Sequence, residues 1–361
     1  MVCVIFLSAL SKIFELSINS INFSKPISTG TVSVSDYDLD GFDDLFIGER
    51  FNPTVYGLPS SGYLFRNNGD NTFTNVPTKI FNDIGLITSS KWEDLDNNNY
   101  PDLVLAGEWM AIKIYLNDKG DFSKVEPFDV DSSKGLWQDI ELVDVDNDSD
   151  IDIIAGNLGS NTFFKSEMRM YVNDFDSNGT IEQIICQKIN GLYYPILDKD
   201  ELLKQLPGLK KKIFYYKDYS LASMKDLFDK YLLDNSIYFD LDTTETSLFI
   251  NNNNQFTRES FPSEIQYSSV YDIETINNNE LNTLSVLFGG NQYLVKPQYG
   301  PYDASKGWLV KIKSNNNKSD FLSVESLNIK GQIRKFAPLK MNLFLTAINN
   351  DNLKLIEINE K

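Results

Sequence analysis

The residues with the clearest chemical potential are acidic and evenly spaced: Asp36, Asp38, Asp40 and Asp44 in SDYDLDGFDDLFIGE. The spacing returns as Asp94, Asp96, Asn98 and Asp102 in EDLDNNNYPDLVLAGE, and as Asp144, Asp146, Asp148 and Asp152 in VDVDNDSDIDIIAGN. A fourth copy, NDFDSNGTIEQII, carries Asp174, Asp176, Asn178 and Glu182. Side-chain oxygens thus stand at loop positions 1, 3, 5 and 9 throughout. Alternate side chains of a tight loop converge on one point, and calcium takes six to eight oxygens at about 2.3–2.6 Å. The backbone carbonyl at position 7, from Phe42, Tyr100, Asp150 and Thr180, is the expected additional ligand. Position 6 must turn sharply with φ > 0, which suits Gly41, Asn99 and Gly179 and suits Ser149 least.

An EF-hand loop opens the same way but carries a bidentate Glu at position 12. Position 12 here is Ile47, Leu105, Ala155 and Ile185, all apolar, so these are not EF-hands. A single Asp/Asn-rich turn is commonly just solvated. Four copies with one spacing, each a self-repelling group of carboxylates, call for a bound cation. Four Ca2+ ions would bring the formal net charge from −18 to −10, so metal loading accounts for much of the acidity without a basic partner.

The remaining composition excludes several chemistries. A strongly acidic surface repels nucleic-acid backbone and anionic lipid. The chain has no histidine, which removes His-based acid–base catalysis, the Ser-His-Asp and Cys-His machineries, and histidine metal ligation. Its two cysteines, Cys3 and Cys186, form no Cys-x-x-Cys motif. One other cluster has chemical interest: Tyr293, Lys296, Tyr299, Tyr302 and Asp303. Its weak functional reading is a ligand-binding platform, and the bland alternative is an aromatic-rich loop between sheets.

The elements that must position the loops are short strands. Hairpin patterns lie at Gly62–Val76, Ile112–Val125, Ser247–Glu259 and Gly307–Val324, each an apolar strand, an Asn/Gly/Asp turn and a returning strand. One loop-plus-strand unit and one hairpin make a four-stranded sheet. Successive loops start at Asp36, Asp94 and Asp144, intervals of 58 and 50 residues, which is the size of a propeller blade. The next interval, Asp144 to Asp174, is 30 residues, which predicts a shortened outer hairpin in that blade. A worn fifth loop at Ile276–Asn291 keeps Asn277 and Asn279 but has Leu281 and Ser285 in place of ligands, so no calcium is expected there. Gln332 to Ile358 reads as three further strands, and the Asn runs at Asn251–Asn254, Asn277–Asn279 and Asn315–Asn317 read as drift within turns.

The expected architecture is all-β: a β-propeller of about six to seven four-stranded blades spanning residues 28–361. Residues 198–233 add a helical insertion broken at Pro207-Gly208. Lys204, Lys210, Lys211, Lys212 and Lys217 make that insertion basic: either a solvated face or a docking surface for an acidic partner. Residues 1–27 stand apart. Their apolar run, Val2 to Leu10, is too short to span a bilayer and is read either as a strand or as a remnant signal segment.

At its loops the sequence resembles the FG-GAP/VCBS repeat proteins, with D-x-D-x-D-G-x-x-D-L at Asp36–Leu45 as the most specific match. YPILDKDELLKQLPGLKKK, FGGNQYLVKPQYGPYDASKG and AGNLGSNTFFK look like the large extracytoplasmic propeller proteins of Bacteroidota related to the ASPIC/UnbV and cartilage acidic protein group. The resemblance covers about residues 28 to 358 and implies an integrin-α-like propeller. It further implies up to four structural Ca2+ ions, a periplasmic, cell-surface or secreted location, and a protein- or glycan-binding scaffold role. The alternative is an enzyme acting on polysaccharide or a phosphoester through Tyr, Lys or carboxylate groups.

Overall fold

A computed structural model describes residues 21, 23, 26–278, 283–314, 319–340 and 342–358. Among the described residues the chain forms 24 strands and four short α-helices. The first sheet is a meander of β1 (Ser28–Ser35), β2 (Asp44–Phe51), β3 (Gly62–Asn67) and β4 (Phe73–Asn75). The unbroken run Leu45–Ile47 in β2 is buried on both faces, as an apolar run in a covered central strand must be. The second sheet repeats the order with β5 (Leu86–Glu93), β6 (Asp102–Met110), β7 (Lys113–Tyr115) and β8 (Phe128–Asp129), and β9 (Gly135–Leu136) joins the far end of β6. The sequence places the return strand of this hairpin before Val125; it lies instead at β8. A turn bridged between Asp118 and Asp121, and the Asp121 carboxylate accepting from Ser123, take up the intervening residues.

The third sheet opens with β10 (Asp139–Val143) and β11 (Asp152–Gly156), and the chain then leaves it. β12 (Met168–Asn173), β13 (Glu182–Ile189), β14 (Leu192–Pro195) and β15 (Ile237–Asp240) form a separate sheet in the order β14-β13-β12-β15. Between β14 and β15 run α1 (Lys199–Gln205), a 3-10 turn (Pro207–Lys211), α2 (Tyr216–Ser220), α3 (Met224–Leu227) and α4 (Lys230–Asp234). Leu202, Leu206, Met224 and Phe228 from these turns pack on Tyr171, Phe175 and Ile184 of that sheet. Only then does the chain return, with β16 (Ser247–Asn252) pairing β11 and β17 (Gln255–Ser260) on its outer side. The short interval between Asp144 and Asp174 therefore does not mean a shortened hairpin. The third sheet keeps a full outer hairpin, and the Asp174 loop belongs to a sheet nested inside it.

The fifth sheet is β18 (Val270–Asn278), β19 (Thr283–Gly290), β20 (Trp308–Ser314) and β21 (Ser319–Ser326). The sixth is β22 (Ile333–Lys340), β23 (Leu343–Ile348) and β24 (Lys354–Glu357), the three C-terminal strands that the sequence predicts. Asn279 and Leu281 of the worn fifth loop, the Asn315–Asn317 run, Cys3 and the Val2 to Leu10 run lie outside the described residues. Among the described residues the fold is thus an all-β propeller with six sheets, at the lower end of the expected number. The first strands of five of them, β1, β5, β10, β18 and β22, are neighbours in that order, and the nested sheet meets the others through β15 and β6.

Apolar packing and a polar ladder join these sheets. Between the first and second, Phe46, Phe81, Tyr115 and Phe122 pack ring against ring, each fully buried ring contributing roughly 1.5–3 kcal/mol. Along the inner strands Lys91 of β5 pairs with Glu141 of β10. Asp139 of β10 accepts from the Ser89 hydroxyl at 2.8 Å and from the Ile273 N–H of β18 at 3.1 Å. Lys335 of β22 reaches Asp272 and Glu274 of β18, both at 2.6 Å. Burial pushes Asp139 and Asp272 above the usual carboxylate range, against the pull of these lysines.

Candidate metal centres

All four acidic loops fold alike. The position-1 carboxylate accepts the N–H groups of positions 5 and 6: Asp36 from Asp40 (3.0 Å) and Gly41 (2.9 Å), and Asp94 from Asn98 (3.0 Å) and Asn99 (2.7 Å). Asp144 accepts from Asp148 (3.2 Å) and Ser149 (2.9 Å), and Asp174 from Asn178 (3.0 Å) and Gly179 (2.9 Å). The position-5 side chain accepts the N–H of position 7, from Phe42, Tyr100, Asp150 and Thr180. Position 6 is left-handed throughout, at φ 92 for Gly41, 70 for Asn99, 76 for Ser149 and 85 for Gly179. So is position 4, with Leu39, Asn97, Asn147 and Ser177 at φ 57 to 60. That second turn was not read from the sequence; Asn97 and Asn147 hint at it, whereas Leu39 gives no signal.

The position-9 carboxylate has a second task. Asp44 accepts the N–H groups of Tyr37 and Asn67, Asp102 those of Leu95 and Asn117, and Asp152 those of Val145 and Asn251. Each one ties the start of its loop to the third strand of its sheet. Glu182 repeats half of this, accepting from Phe175 at 3.0 Å and from the Thr180 hydroxyl at 2.9 Å. Burial lifts Asp44 and Asp102 to about 6 and Asp152 to about 7, although the backbone donors pull the other way.

The partner asparagines are structural. Asn117 is fully buried; its amide donates to the carbonyls of Tyr37 and Pro101, and its oxygen accepts from Gly120. Asn251 holds the same place in the third sheet, donating to Ile151 O and accepting from Asn254. It is not turn drift. The signal was the same Asn at the end of the third strand in LFRN, IYLN and LFIN.

The clusters could hold a metal ion. Carboxylate oxygens of Asp94, Asp96 and Asp102, of Asp144, Asp146 and Asp152, and of Asp174, Asp176 and Glu182 lie within 4.8 Å of one another, as do those of Asp36, Asp38 and Asp40. Two ligands of one calcium ion lie at most ~5 Å apart, so the spacing fits. The loops differ in what neutralises them. In the first, Arg66 pairs with Asp38 at 3.0 Å and Asp40 at 2.8 Å, and its hydrogen bond holds Asp40 below the usual carboxylate range. Among the described residues no Lys or Arg pairs with the carboxylates of the other three loops. Asp146 is 2% exposed and neither of its oxygens has a hydrogen-bond partner. Burial, then Asp148 and Asp144, push it up to about 6. Its charge there is costly, and a bound cation would offset that cost.

The Tyr/Lys cluster lies at the opposite end of the strands, beside a cavity of about 540 Å³ between the propeller and the nested sheet. Lys296, Tyr299 and Tyr302 line it, whereas Tyr293 and Asp303 are exposed and do not. Lys296 pairs with Glu201 of α1 at 2.9 Å, and the Tyr302 hydroxyl accepts the Phe163 N–H at 3.2 Å. Lys204, Lys210, Lys211, Lys212 and Lys217 are all exposed on the helical turns, with Lys212 donating to Leu227 O.

Repeated sheets, four of them opened by an Asp-rich loop on the first hairpin, define a propeller built partly from acidic-loop repeats. Residues 36–105 and 94–155 both match the family model for the FG-GAP-like repeat, so this part of the chain carries FG-GAP-like repeats. The two matches share the second loop and stop where the nested sheet begins. No curated protein matches the chain. Among the described residues no helix is long and apolar enough to cross a membrane.

Proposed function

We propose that this chain is a calcium-pinned, extracytoplasmic propeller that serves as a protein- or glycan-binding scaffold. The observation that carries the metal is Asp146, a buried carboxylate without a hydrogen-bond partner, inside a loop geometry repeated four times. The proposed ligands are the side chains of Asp36, Asp38, Asp40, Asp44, Asp94, Asp96, Asn98, Asp102, Asp144, Asp146, Asp148, Asp152, Asp174, Asp176, Asn178 and Glu182. Position 7 of each loop would add its carbonyl. All are hard oxygen donors, and calcium suits such a flexible set better than magnesium, which demands a tight octahedron.

A non-catalytic role is supported by the state of the Tyr/Lys cluster. Lys296 is ion-paired, and burial raises the Tyr299 hydroxyl further from the range in which a tyrosine acts as a base. The extracytoplasmic location rests on the repeat family, whose members typically work outside the cell.

Thermal unfolding in EDTA, in millimolar Ca2+ and in millimolar Mg2+ tests the reading. A ligand that binds only the folded state at about 100-fold excess over Kd adds roughly 2.7 kcal/mol per site. The expected result is a large rise with Ca2+ and little with Mg2+. Unchanged melting, from protein that a metal count proves to be ion-free, would overturn it.

A further inference from the structure

The cavity between the propeller and the nested sheet is built rather than left over. A regular strand sends successive side chains to opposite faces, yet the neighbours Glu108 and Trp109 both line it. The cause is a bulge at the end of β6: Glu108 faces Leu136 and Met110 faces Gly135, leaving Trp109 as the extra residue. Bulges of this kind re-aim side chains and gather at functional sites. Trp109 also sits at φ 58, a left-handed conformation that a bulky residue adopts only under constraint. Its ring is fixed edge-on to Phe164 at 6.2 Å.

The lining indicates what the cavity would take. Leu136, Leu158, Ile185 and Ile196 make most of it apolar, and Tyr271 and Tyr299 add ring faces. Both charged side chains that reach it are already neutralised. Glu108 accepts from Arg50 at 2.7 Å, from the Tyr56 hydroxyl at 2.8 Å and from Gln138 at 3.2 Å, and Lys296 is paired with Glu201. The side-chain amides of Gln183 and Gln292 remain to donate and accept. The volume of about 540 Å³ lies within the ~300–1,000 Å³ of small-molecule sites.

We propose that this cavity binds an uncharged, largely apolar small molecule carrying a few hydrogen-bonding groups. The proposal goes beyond the protein- or glycan-binding reading by naming a separate site and a different ligand class. It does not require metal in the loops, so its failure and that of the calcium reading are separate results.

The probe is N-phenylnaphthylamine, a neutral aromatic amine that fluoresces on burial, titrated into the full-length protein with and without Ca2+. Saturable enhancement at one site per chain is expected. Ile196→Trp places an indole in the cavity from the nested sheet and should weaken binding about tenfold or more, with the melting temperature kept. Should that variant not fold, Tyr299→Ala, at the partly exposed rim, is expected to weaken binding as well. Anilinonaphthalene sulfonate, the same aromatic body with an anionic group, should bind about tenfold more weakly. Absence of saturable binding, equal affinity in folded variants, equal affinity for the sulfonate, or thermal protection by maltotriose alone would each overturn the proposal.

Discussion

Across the loops, the carboxylates at positions 3 and 9 do opposite things to stability. Asp146 is buried among acids and has no partner, so its charge costs the metal-free protein. Asp146→Asn should leave the EDTA form at least as stable as the parent while removing part of the Ca2+-induced rise in melting temperature. Asp102 instead satisfies two backbone N–H groups, from Leu95 and Asn117, in a fully buried position. Asp102→Ala should already cost roughly 2–6 kcal/mol in EDTA, because each of its two orphaned donors costs about 1–3 kcal/mol, and should lose part of the Ca2+-induced rise as well. Paired urea titrations of both variants, with and without Ca2+, separate a residue that serves only as a ligand from one that also holds the scaffold. Equal behaviour of the two would sink the distinction.

At the scale of elements, the asparagine that ends the third strand is what couples a hairpin to its loop. Asn117 bridges further, from the second sheet to the Tyr37 carbonyl in the first loop. Asn117→Ala removes three side-chain hydrogen bonds and is expected to cost about 3 kcal/mol. Chemical denaturation should register this as a lower midpoint with an unchanged slope. The loops and most hairpins were legible in the sequence because their signals are local: ligand spacing, turn residues, alternating apolar positions. The nested sheet was not, because β11 pairs with β16 across residues 157–246 and pairing at that range leaves no mark on either segment. The unusual Asp144–Asp174 interval did mark the place, but spacing alone cannot distinguish a shortened blade from an interrupted one. The cavity was half legible. Its aromatic rim at Tyr299 and Tyr302 stood out, whereas the bulge that turns in Trp109 depends on pairing with β9.

For the whole molecule, the sum of these sites sets a pH dependence. Burial lifts Asp44, Asp102 and Asp146 to about 6 and Asp152 to about 7 in the metal-free fold, above the usual aspartate range. Raised folded-state values mean that folding takes up protons. The stability this provides is complete below about pH 4 and is lost as pH rises through 6 to 7. In EDTA the melting temperature should therefore be higher at pH 5 than at pH 7.5, with Ca2+ narrowing the gap. A higher EDTA melting temperature at pH 7.5 would contradict the assignment.

The nesting of one sheet inside another also orders events in time. A chain made from its N-terminus completes its first two sheets as soon as their hairpins emerge, since every partner is close behind. The third cannot finish in that way. After Gly156 the edge of β11 has no neighbour until Ser247 has been synthesised, and the intervening segment must first collapse on itself so that its ends meet. In the finished fold the ends of the excursion meet through the Asn157 N–H on the Thr246 hydroxyl at 3.1 Å and the Gly159 N–H on the Thr244 carbonyl at 2.7 Å. Pairing across that range forms more slowly than the local hairpins before it, so the third sheet is expected to complete late. An exposed apolar strand edge waits there for a partner that arrives late.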